Sequence, residues 1–224
     1  MPLIELLNAK IDAKHLLKHP FYLAWANGEL TVADLRLYAA QYFAHVWAFP
    51  AYLSEMHCRC EDLDVRRIIA RNLAEEEGGG VTHPDLWLDF AAGLGLDNNS
   101  VLSAAPGKRV RDLVEIFRYV ARMDTGLAAV GLYCYEKQVP LVAASKIVGL
   151  KEYYGITDET TLRYFTVHEI ADVLHATEWE AIIDRTAPTE ADSLGVADGV
   201  LDALWGALDE IFAECKSAPA AWTN

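Results

Sequence analysis

Apolar residues recur at spacings of three and four along almost the whole of this sequence, and no period-2 run of β-branched residues is bounded by an Asn-Gly or Asp-Gly turn. A chain with that pattern can build a core only by packing helices on helices. Thr31-Val-Ala-Asp34 has the form of a capping box, and Leu35, Tyr38, Ala39, Tyr42, Val46 and Phe49 carry the helical spacing beyond it. Pro50 is expected to disturb that helix. A second helix runs from Asp64 to Glu77 and stops at Gly78-Gly79-Gly80. His83-Pro84 restarts the chain, with Gly95 as the C-terminal cap. Further helices are read over 106–124, 125–137 and 140–154, then from Asp158 to Thr186 with Thr157 as N-cap. Thr189-Glu-Ala-Asp192 opens the last one towards Lys216. The fold class is therefore all-α, a bundle of about seven or eight helices in one domain over 1–216. Residues 217–224 form a tail that is loose unless Trp222 docks.

Charge narrows the partners. Nineteen Lys and Arg against 33 Asp and Glu give a net charge of −14, which disfavours nucleic acid and anionic bilayer surfaces. The most apolar stretch, Gly126 to Tyr135, is about half the length of a membrane span, and MPLIELLNAKID lacks the layout of a secretory signal. The 4 cysteines, Cys58, Cys60, Cys134 and Cys215, contain no C-x-x-C pair and are too few for a disulfide scaffold. A reducing, cytoplasmic setting is expected.

Chemistry concentrates in three places. In Val167-His-Glu-Ile-Ala-Asp-Val-Leu-His-Ala176, a helix would set Asp172 about 40° from His168 and His175 about 20° to the other side. One face then offers three metal ligands, or else a solvated polar stripe flanked by Ile170, Val173 and Leu174. The second place is Glu75-Glu76-Glu77-Gly-Gly-Gly-Val-Thr-His83. The glycines make an unbroken helix doubtful, so spacing does not choose among the glutamates. The third is Glu136, after the apolar Gly131-Leu-Tyr-Cys-Tyr135; burial there needs a partner, a metal or a salt bridge to Lys137 or Lys146. Oxygen and nitrogen ligands without thiolate suit iron or manganese, and three histidines with three carboxylates suit bare ions better than heme.

The segments HPFYLAWANGEL, RNLAEEEGGGVTHPDLW, YCYEKQVPLVAASKIVGLKEYYGI and YFTVHEIADVLHATEW resemble the chlamydial protein associating with death domains and its bacterial relatives. Those are heme-oxygenase-like dimetal oxidases, in the structural class of the TenA thiaminases and the PqqC oxidase. The resemblance spans about His19 to Glu180 and implies a heme-oxygenase-like bundle. It implies two metal ions, Fe/Fe or Mn/Fe, held by Glu76, His83, Glu136, His168, Asp172 and His175. Dioxygen and an external reductant are then cosubstrates, and relatives suggest a homodimer. The implied activity makes para-aminobenzoate for folate synthesis and consumes the protein. The ring comes from Tyr22 and the amine from Lys146, with Tyr135 and Tyr164 as further tyrosines of the site. On residues alone, Tyr22 also reads as core packing and Lys146 as a snorkelling lysine. Two other classes compete: a TenA-like hydrolase with Cys134 as nucleophile and Glu136 as orienting carboxylate, and a death-domain-type interaction module.

Overall fold

The computed structural model describes residues 1–217, which form eleven α-helices, one 3-10 turn and no strand. The helices are α1 (Leu3–Ala13), α2 (Pro20–Ala26), α3 (Val32–Arg59), α4 (Leu63–Glu77), α5 (His83–Gly93) and α6 (Asn98–Leu102). They continue with α7 (Lys108–Ala121), α8 (Thr125–Glu136), α9 (Val139–Tyr153), α10 (Glu159–Thr186) and α11 (Glu190–Ser217). The all-α expectation holds, but the count of about seven or eight is too low. The helices passed over are α1, α2 and α6, of 11, 7 and 5 residues, too short for a 3.6-residue period to stand out. Trp222 lies outside the described residues.

Three helices of 28 residues, α3, α10 and α11, frame the bundle. The α10 helix packs on α5, α8 and α9, α11 packs on α7 and α8, and α3 covers α4, α5 and α7. The expected disturbance at Pro50 is absent at the level of helix assignment, because α3 runs through it to Arg59. An interior proline costs about 3 kcal/mol. Val46, Phe49, Tyr52, Leu53 and Met56 are buried on either side of it. Each such side chain contributes about 1.5–3 kcal/mol, so packing outweighs the lost bond. At the start of α10 the cap is Asp158 rather than Thr157, its carboxylate accepting from Thr161 N at 2.9 Å.

Two local devices place the site. Gly78 ends α4 and Gly79 takes φ +81°, which reverses the chain. The Thr82 and Asp85 capping box then opens α5 at once, Asp85 N donating to Thr82 Oγ1 at 3.2 Å and Thr82 N to Asp85 Oδ2 at 2.9 Å. The last turn of α4 thereby faces the first turn of α5. On the other side of the site, a Cβ on Gly149 would lie 2.7 Å from the Trp25 ring, so only glycine lets α9 come this close to α2. No helix among the described residues is long and apolar enough to cross a membrane.

Candidate active site

The expected ligand residues assemble as two triads. Glu76, His83 and His168 form one and Glu136, Asp172 and His175 the other, with the ligand atoms of each within 4.8 Å of one another and every residue buried. The glycine reversal brings Glu76 and His83 together, His83 Nδ1 lying 2.9 Å from Glu76 Oε2. The α10 helix supplies His168 to the first triad and Asp172 and His175 to the second. Its polar face is thus the buried one, and the solvated-stripe alternative falls. Glu136 pairs with neither lysine: Trp179 Nε1 donates to it, and Lys137 pairs with Glu180.

Hydrogen bonds fix how the histidines are presented. His168 Nδ1 donates to the Tyr164 carbonyl at 2.7 Å, which leaves the Nε2 lone pair free. His175 meets the Glu75 carboxylate through Nε2 at 2.9 Å, while its Nδ1 lies 3.1 Å from Asp172 Oδ1 and 3.8 Å from Glu136 Oε2. Glu75 and Glu76 therefore serve different triads from adjacent positions. Burial, then the nearby Asp172 charge, pushes Glu136 up to about 8; burial likewise raises Asp172 to about 6. For His175 burial pulls downward, but the bond to Asp172 and the Glu136 charge outweigh it and raise it to about 10. Asp172 Oδ2 is buried with no hydrogen-bond partner, and His83 Nδ1 meets the Glu76 carboxylate alone. Unpartnered lone pairs among convergent oxygen and nitrogen donors are what a divalent ion would satisfy, and the residues present fit two ions of the iron or manganese type.

A second chamber adjoins the first. Lys146 is buried at 4% exposure, its Nζ 4.6 Å from the Tyr38 ring centre, 5.0 Å from Phe165, 5.3 Å from Tyr22, 5.6 Å from Trp87 and 5.7 Å from Trp25. Nζ hydrogen-bonds Tyr38 OH at 2.5 Å, and Tyr38 OH lies 3.4 Å from Tyr22 OH. Burial holds the lysine well below its ordinary value, which favours the neutral amine. The cavity between these groups has room for about one or two water molecules and no aromatic ring. Tyr22, Lys146, Tyr135, Tyr164 and His168 all line it. The Tyr164 ring lies on His168, centres 4.1 Å apart, and Tyr42 OH donates to Tyr135 OH at 3.5 Å.

Sequence reasoning missed Tyr38, Tyr42 and Trp87, and left Glu75 as one of three glutamates that spacing does not separate. In the sequence Tyr38 and Tyr42 read only as part of the apolar stripe of α3, and their i, i+4 spacing is the same for core and site. Cys134 is fully buried, its thiol pushed up to about 12 by burial, and lines neither cavity. It stands two residues from Glu136 on α8, so the two side chains leave opposite sides of the helix. That arrangement disfavours the Cys134 hydrolase.

The model of the iron-containing redox enzyme family matches residues 36–206. The chain belongs to that family. It is 41% identical over 211 residues to the 4-aminobenzoate synthase of Chlamydia muridarum, covering 93% of this chain and 89% of that one. It is also 41% identical over 217 residues to the 4-aminobenzoate synthase of Nitrosomonas europaea, covering 90% and 87%. The fold is that of a TenA homolog from Pseudomonas syringae, with a TM-score of 0.83 at 15% identity over 95% of this chain and 93% of that one. The heme-oxygenase-like expectation and the family resemblance both hold.

Proposed function

We propose that this protein makes 4-aminobenzoate by oxidising its own Tyr22 ring, with Lys146 as amino donor, beside a centre of two iron ions or one manganese and one iron. The observation that carries this reading is the Lys146 chamber. Amine and ring share one hydroxyl, Tyr38 OH, at 2.5 Å and 3.4 Å, on the wall of a cavity without space for a separate aromatic substrate. A tethered ring and amine gain the large effective concentration of an intramolecular reaction. The names of the relatives supply the product.

Glu76, His83 and His168 would hold one ion and Glu136, Asp172 and His175 the other. Bound metal supplies the capacity to use dioxygen and an external reductant for oxidation of a phenol. The chain's own residues do the rest. Desolvation keeps the Lys146 lone pair available for attack on an oxidised ring. Tyr38 positions the amine, and Phe165 and Trp87 exclude water from it. The reading takes the protein as a cytoplasmic homodimer, with Tyr135 and Tyr164, between the two chambers, as the tyrosines nearest the ligands.

Protein grown on ring-labelled tyrosine, loaded with iron and given reductant and oxygen alone, tests this directly. Labelled 4-aminobenzoate at no more than one per chain is expected, none from Tyr22→Phe, and no aminated product from Lys146→Arg. Unlabelled product, or many turnovers with an added small molecule, overturns it.

A further inference from the structure

His45 takes no part in either triad or in the Lys146 chamber. It is wholly buried on α3, ringed by Phe117 at 4.9 Å, Tyr135 at 5.0 Å, Tyr42 at 5.4 Å and Phe49 at 6.1 Å between ring centres. No charged group accounts for its presence, and burial lowers it to about 3, so the ring is neutral. A neutral imidazole carries one proton on one of its two nitrogens. Nδ1 lies 3.4 Å from Tyr52 OH; with Tyr52 as the donor, the His45 proton sits on Nε2. Nε2 is buried and has no hydrogen-bond partner. Folding rarely leaves such a group unpaired, and a phenylalanine would have filled the same space without the cost.

The ring's position explains the exception. His45 lines a small cavity together with Phe49, Tyr135, Glu136, His168 and Asp172, so the imidazole stands across open space from members of both triads. We propose that His45 Nε2–H is the hydrogen-bond donor this cavity offers to a small oxygen-type or anionic ligand seated beside the metals. Tyr52 acts through it by setting the tautomer. This rests on the reading that the triads hold metal, and it adds a residue that holds the ligand without holding the metal.

Azide, a three-atom anion, is the probe. Iron content and azide affinity are measured on oxidised, iron-loaded wild type, His45→Phe and His45→Gln; glutamine keeps an N–H donor at about the same reach. Phenylalanine should keep the iron and weaken azide about tenfold or more, and glutamine should recover most of that loss. Azide affinity within twofold of wild type in an iron-replete His45→Phe protein overturns the proposal. A wild type that takes up no iron fails the metal reading instead, and the tautomer still decides His45. Nitrogen-15 spectra of the metal-free wild type should show the proton on Nε2, and a proton on Nδ1 overturns the proposal whether or not the variants fold.

Discussion

The carboxylate and histidine chamber keeps its ionisable side chains from water by setting carboxylates against imidazoles, with Asp172 3.1 Å from His175 and Glu76 2.9 Å from His83. The adjoining chamber keeps a single amine from water with five aromatic rings, one of which, Tyr38, also accepts its hydrogen bond. The first solution retains charge where a cation can use it. The second disfavours charge, because burial without a counter-ion penalises the ammonium. The two adjoining chambers thus treat charge in opposite ways, one gathering oxygen and nitrogen donors that could hold a cation and the other favouring a neutral amine.

The largest expected effect breaks one chamber alone. His168→Ala or Asp172→Ala should lower bound iron at least a hundredfold in affinity, since each removes a ligand donor rather than a supporting group. Product should vanish with it, and metal analysis after anaerobic loading checks this. Iron retained at two per chain in both variants would dissolve the distinction between the chambers. Lys146→Met is the converse experiment, abolishing amination while leaving iron uptake unchanged.

Glu75 sharpens the comparison, since it touches the first chamber only through His175 Nε2. Glu75→Ala should weaken metal binding about 10–100-fold, and Glu75→Gln, which still offers an acceptor, by less. Equal losses in the two variants would point to charge rather than orientation. Smaller again is a stability effect in the second chamber. Folded Lys146 lies below its unfolded value, so the unfolded chain binds more protons between the two, and stability from this group rises with pH up to about 10.4. Lys146→Met should stabilise the protein by about 1 kcal/mol or more at neutral pH and flatten that rise, which denaturant titrations at several pH values would show. Least of all, Thr82→Ala should cost about 1 kcal/mol through the lost α5 cap, and should loosen His83 in the adjacent turn.

The fold was legible because helix periodicity and capping signals are local. Thr31 with Asp34, Gly95 and Thr189 with Asp192 end or begin helices where their chemistry says they should. The site was legible only in part. His168, Asp172 and His175 share a face of one helix, and that face could be computed. Glu76 with His83 could not be chosen by spacing, because the backbone between them reverses at Gly79 and a 3.6-residue period carries no information across a break. Tyr38 was invisible for another reason. A tyrosine on an apolar stripe contributes the same pattern whether its hydroxyl is idle or meets an amine, and the amine comes from a residue 108 positions away.

Through its middle turns α10 wears its apolar residues outside: Ile170, Val173 and Leu174 are 73%, 59% and 52% exposed, while His168, Asp172 and His175 face inward. Its flanking turns are ordinary, with Leu162 and Phe165 buried before and Trp179, Ile182 and Ile183 after. Hydrophobic burial therefore anchors this helix at both ends and works against it in the centre. The span between behaves as a beam clamped at its supports, whose midpoint is seated mainly by the polar groups of the two triads. Its amide protons should exchange fastest in metal-free protein, and loading the site should slow them more than those of the clamped turns.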